Sequence, residues 1–66
     1  MLIDNTTRFL NTFFFNCDTY SADKIDKMVT PFVIQICLDL DMIETVINDG
    51  KRLYHILPEG KRAIGK

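Results

Sequence analysis

Apolar residues change their spacing near the middle of this chain. In the first half they recur three and four apart; in the second they alternate. The segment "DNTTRFLNTFFFNCD" shows the first pattern. Phe9 and Phe13 lie four apart, as do Leu10 and Phe14, and Cys17 extends the stripe, which predicts an amphipathic helix. Asp4 or Asn5 can cap it, with Thr6 and Thr7 in its first turn. Phe15 falls off the stripe, so the apolar arc is wider than one core face needs.

"SADKIDKMV" predicts a short second helix. The Ser21 hydroxyl can accept a backbone N–H two or three residues on, and Asp23 suits the positive helix end. Ile25, Met28 and Val29 form its apolar edge. "TPFVIQICLDLDM" follows at once. Its β-branched residues Val33, Ile34 and Ile36 leave a strand open on propensity. The Thr30-Pro31 opening and the length favour a helix. On a helical wheel Val33, Ile36, Cys37 and Leu40 share one face. Pro31, Gln35 and Leu38 lie opposite, flanked by Phe32, Ile34 and Asp39.

The alternating half reads as a hairpin. "MIETVIND" and "KRLYHIL" flank Asp49-Gly50, the strongest short-range hairpin signal. A two-residue turn sets the register: Asn48 opposite Lys51, Val46 opposite Leu53, Glu44 opposite His55. The other face pairs Ile47 with Arg52, Thr45 with Tyr54 and Ile43 with Ile56. That second face is mostly apolar and is expected to pack on the helices. A cross-strand charge pair with Glu44 is the plain account of His55, the one histidine. Pro58 then opens a last helical piece of at most two turns.

Composition sets outer limits. The chain has 66 residues, enough for a single domain over 1–66. Such a chain buries only about 60% of its unfolded surface. With 47% hydrophobic residues, some apolar surface is expected to meet a partner or a second copy. The net charge of -1 gives no global field toward nucleic acid. The distribution is uneven, however. Through Asp49 the cations are Arg8, Lys24 and Lys27 against eight acids; from Gly50 onward Lys51, Arg52, Lys61, Arg62 and Lys66 face Glu59 alone. Lys61, Arg62 and Lys66 read as solvated helix-end cations. No apolar run is long enough to span a bilayer and no secretory signal opens the chain. Cys17 and Cys37 sit in apolar stretches, which fits reduced, buried thiols in the cytoplasm. One His and two distant Cys supply no metal cluster, and no motif requires a cofactor. There is no nucleophile–base pair or phosphate-cradling glycine loop, so an enzyme is not expected.

Helix, short helix, helix, hairpin is the order of a winged helix-turn-helix domain. The local residues sharpen this. Leu40 to Glu44, "LDMIE", resembles the Leu-Gly-Leu-Ile-Glu that ends the recognition helix of bacterial and archaeal winged-helix regulators. Asp41 stands at the glycine position, which needs a left-handed backbone that Asp tolerates better than most residues. "YHILPEG" with "KRAI" resembles the Tyr-x-Leu-Thr-x-x-Gly-x-x-x-Leu closing the wing of multiple-antibiotic-resistance and PadR-like regulators. Tyr54, Ile56, Gly60 and Ile64 match it, while Leu57 replaces the Thr. The resemblance implies an α+β, mostly helical fold: three helices, a two-stranded wing and a short C-terminal helical turn. It also implies a recognition face of Thr30, Phe32, Gln35, Leu38 and Asp39, with a wing tip at Asp49 to Arg52.

Two functions follow as expectations. The first is a DNA-binding transcriptional regulator on double-stranded DNA. Lys51, Arg52, Lys24 and Lys27 would meet phosphates, with limited base contact from Gln35 and Thr30. The second is a winged-helix protein-interaction module, viral or mobile-element adaptors included, that grips a protein partner through the apolar third helix and binds no DNA. Phe15, Phe32 and Leu38 are its partner or dimer contacts. A homodimer on the first helix would bury Phe15; packing under the wing or the last helix is the alternative.

Overall fold

The computed structural model describes residues 5–66. Its elements are α1 (Asn5–Phe14), β1 (Thr19–Ser21), α2 (Ala22–Met28), α3 (Pro31–Asp39), β2 (Ile43–Asn48), β3 (Lys51–Ile56) and α4 (Pro58–Ala63). The fold is α+β. Helices pack on one face of a three-stranded antiparallel sheet ordered β1-β3-β2. Of the two cap residues expected for α1, Asp4 lies outside the described residues.

The hairpin forms in the register its turn dictates, from Asn48 opposite Lys51 to Ile43 opposite Ile56. Asp49 and Gly50 both take positive φ, 56° and 74°, as a type I′ turn requires of its two central residues. The Ser21 hydroxyl accepts from Lys24 N–H at 3.4 Å at the start of α2. Pro31 occupies the first turn of α3, while Thr30 caps it by position without a side-chain bond. Asp41 takes the left-handed backbone, φ 56°, and reverses the chain between α3 and β2.

The core is built around α1. Phe9, Leu10, Phe13 and Phe14 are buried with Ala22 and Ile25 of α2, Val33, Ile34 and Cys37 of α3, and Ile43, Tyr54 and Ile56 of the sheet. Phe9 stacks edge-on to Phe14, ring centroids 6.0 Å apart, and Phe13 to Tyr20 at 5.0 Å. Such aromatic pairs add about 0.5–1.5 kcal/mol beyond their burial, a useful increment in so small a core.

Several expectations need correction. A third strand, β1, joins the hairpin, pairing Thr19 with His55, Tyr20 with Tyr54 and Ser21 with Leu53. Three residues are too few for any period to declare itself. Helix α1 ends at Phe14, so Cys17 leaves the stripe and is exposed; only Cys37 is buried. Phe15 is 61% exposed, which excludes packing under the hairpin or α4. On α2, Met28 points outward at 71% exposure, leaving Ile25 and Val29 as the inner edge.

Helix α3 is also rotated from its expected setting. Ile34 is buried and Leu38 packs against the core, whereas Ile36 is only partly covered and Leu40 is 56% exposed. Both settings share Val33 and Cys37. Apolar residues on either side of that pair left the rotation open, and the positions of α1 and β2 resolve it. The second hairpin face is apolar only at its base: Ile43, Tyr54 and Ile56 are buried, but Ile47 is 65% exposed.

Two of the three C-terminal cations, Lys61 and Lys66, are fastened, while Arg62 stays solvated as expected, 75% exposed. Lys61 and Lys66 both reach the Asp18 carboxylate, at 3.4 and 3.6 Å, and Lys66 Nζ donates to the Phe14 carbonyl at 2.9 Å. Arg62 pairs with Glu59 at 2.8 Å, an exposed i,i+3 contact. Gly60 makes the docking of α4 possible. A Cβ there would collide with the Met42 carbonyl oxygen and with Ile56 Cγ1.

Candidate nucleic-acid interface

Helix α2 presents two layers of charge. Ala22 and Ile25 face the core, which places Lys24 and Lys27 on the outer side by helical periodicity. Both lysines are exposed, and neither forms an ion pair among the described residues. Asp23 and Asp26, three apart and so on neighbouring positions of one side, turn toward β3.

Arg52 meets them there. Its Nη1 donates to Asp26 Oδ2 at 3.2 Å and reaches Asp23 Oδ1 at 3.5 Å. Its Nη2 donates to the Tyr54 hydroxyl at 3.2 Å, and that hydroxyl donates to Asp26 Oδ1 at 2.9 Å. The guanidinium also lies 5.8 Å from the centroid of the Tyr54 ring. Alternation along β3 brings Arg52 and Tyr54 together, since residues 52 and 54 share a face. The hydrogen bond to Asp26 raises the Arg52 pKa above its ordinary value. Burial raises that of Tyr54, and its bond to Asp26 adds to the effect.

This network ties the hairpin to α2. Lys51, one residue from Arg52, is exposed at the tip and makes no ion pair among the described residues. Of the expected phosphate contacts, Lys24, Lys27 and Lys51 are therefore open, and Arg52 is occupied.

Helix α3 offers little charge. Its outward residues are Phe32, Gln35 and Asp39, and it contains no cation. The Gln35 amide donates to Asp39 at 2.9 Å, so the one side chain expected to contact bases is engaged along its own helix. Thr30 is exposed at the helix start. Phe32 is 71% exposed and Leu38 is half-buried, which leaves Phe32 as the open apolar residue of this face. An open groove of about 440 Å³ runs between α1 and the α2–α3 junction, lined by Arg8, Thr12, Met28 and Thr30 among others.

His55 does not pair with Glu44, its cross-strand neighbour. Its Nδ1 lies 3.0 Å from the Thr19 hydroxyl on the other side. Strand β1 supplied a partner that the hairpin alone could not reveal. Among the described residues there is no cluster of three metal-ligating side chains. No helix among them is long and apolar enough to cross a membrane.

Sequence reasoning missed Asp23 and Asp26 as partners of Arg52. Their i,i+3 spacing, and the shared face of Arg52 and Tyr54, were legible. Nothing local placed one pair across from the other. Comparison of the chain with family models, curated proteins and solved structures returns no match, so the geometry itself must carry the functional reading.

Proposed function

We propose that this chain is a winged-helix domain that docks on double-stranded DNA and serves transcriptional regulation. The element order and the β1-β3-β2 sheet support the winged-helix reading. So do the left-handed Asp41 and the close approach at Gly60, both at positions of the motifs it resembles. In that reading the β2–β3 hairpin is the wing and α3 the helix nearest the major groove.

The observation that carries DNA docking is the set of open lysines on two elements held together. Lys24 and Lys27 line the outer side of α2, Lys51 sits at the hairpin tip, and the Arg52–Asp26 contact joins the two. Three lysines neutralise three phosphates. Affinity should then fall with salt along a log–log slope of about -3. Thr30 at the start of α3 adds a phosphate contact from the helix end. Gln35, committed to Asp39, reads few bases, so discrimination between sequences is weak. The reading assigns no catalysis and no cofactor.

The test is titration of a labelled mixed-sequence duplex at several salt concentrations. Lys27→Gln and Lys51→Gln should each flatten the slope by about one. Absence of salt-dependent binding at low ionic strength, or lysine variants indistinguishable from the parent, would overturn it.

A second reading has its own support. Phe32 and Met28 are both 71% exposed on either side of the α2–α3 junction, beside a helix without cations. That suits a protein-contact surface, with Phe15 as a separate contact for a second copy. It predicts association that salt barely affects and that Phe32→Ser abolishes. Light scattering that finds only a 7.7 kDa monomer would remove the homodimer.

A further inference from the structure

Asp23 and Asp26 hold Arg52 in a way that can be undone. The arginine side chain is 45% exposed, and those of Asp23 and Asp26 are 77% and 38% exposed. Ion pairs so open to water are weak and exchange readily. The guanidinium meets each carboxylate through Nη1 alone, so its fork is not matched to either. A phosphate offers two oxygens to the planar guanidinium, the two-bond partner that it lacks here. Departure of Arg52 also leaves no stranded group. Asp26 keeps the Tyr54 hydroxyl at 2.9 Å, and Asp23 faces solvent.

We propose that Asp23 and Asp26 are an intramolecular brake on DNA binding. They occupy Arg52 in the free protein, and a backbone phosphate must displace them to recruit it. The brake rests on the DNA-docking reading above and assigns Arg52 a second position within it. In the free state Arg52 staples the hairpin to α2; on DNA it becomes the fourth cation of the surface. Lys27 and Lys51, the chain neighbours of Asp26 and Arg52, make the first contacts and bring phosphate to the place where the exchange occurs.

The experiment is a mutant cycle read by anisotropy of a labelled mixed-sequence duplex. It uses the parent chain, Asp23→Asn/Asp26→Asn, Arg52→Ala and the triple variant. Loss of Arg52 alone should change affinity by less than about twofold, because the brake offsets what the arginine gains. The paired Asn variant should bind about three- to tenfold tighter, because no ion pair must be broken to recruit Arg52. Adding Arg52→Ala should erase most of that gain. An equal gain with and without Arg52 would mean general loss of negative charge and would overturn the brake. Binding that collapses on Arg52→Ala alone would overturn it too, since the arginine would already be engaged. If neither parent nor Asn variant shows salt-dependent binding, the DNA reading falls and takes the brake with it. A parent that binds beside an Asn variant that gains nothing refutes the brake alone. Asp23→Asn by itself leaves the Tyr54–Asp26 bond intact and should give part of the gain, which guards against a folding artefact at Asp26.

Discussion

The two ends of the hairpin follow one register and reach opposite fates. At the base, Ile43 and Ile56 face each other, both are 1% exposed, and Gly60 of α4 lies against Ile56. At the tip, Ile47 faces Arg52 on the same side of the sheet and is 65% exposed. Backbone pairing is the same throughout, so pairing does not distinguish buried from exposed positions. What lies across from each pair does. The base is closed by packed helices and by a glycine that lets α4 approach. Toward the tip, Arg52 meets the acidic side of α2.

This contrast makes the base intolerant and the tip permissive. The largest effect should come from the core that covers the base. Phe14→Ala removes a fully buried ring and should cost about 3–5 kcal/mol. A chain of this size has about that much stability in total, so circular dichroism should show a largely unfolded protein. Retained native melting would mean that α1 does not carry the core.

Gly60→Ala comes next. The added methyl meets the Met42 carbonyl and Ile56, neither of which is the far end of a flexible side chain. Overpacking of this kind costs about 1–3 kcal/mol, visible as a lower urea midpoint. An unchanged midpoint would show that α4 docks loosely, and the base would then resemble the tip.

The smaller tests concern charge and exposure. Partial burial pushes the Asp18 carboxyl up, but the hydrogen bond from Lys61 and the charges of Lys61 and Lys66 outweigh it and hold its pKa below the ordinary 3.8. A depressed carboxylate contributes stability above its unfolded pKa and loses it as pH falls through the folded one. Asp18→Asn should therefore melt slightly below the parent at neutral pH, and the two should converge in acid well under 3.8. A constant gap across that range would separate the Asp18 contacts from its charge. At the tip, Ile47→Ser should shift stability by less than about 0.5 kcal/mol. A larger loss would show that the tip is packed after all, by a partner or a second copy.

The sequence by itself determined whatever depends on neighbours a few residues apart. Asp49-Gly50 set the turn and with it all six cross-strand pairs. Ser21 and Pro31 marked two helix starts, and four-residue spacing named Phe9, Leu10, Phe13 and Phe14 as core. Tertiary structure decided the rest. It added β1 to the sheet, chose the rotation of α3, sent Arg52 to Asp23 and Asp26, and clamped Lys61 and Lys66 on Asp18. Each of these joins groups distant in the chain. A turn or a cap is satisfied by backbone and side chains within one element. An ion pair between elements, or the choice between two apolar faces, depends on what packing brings opposite.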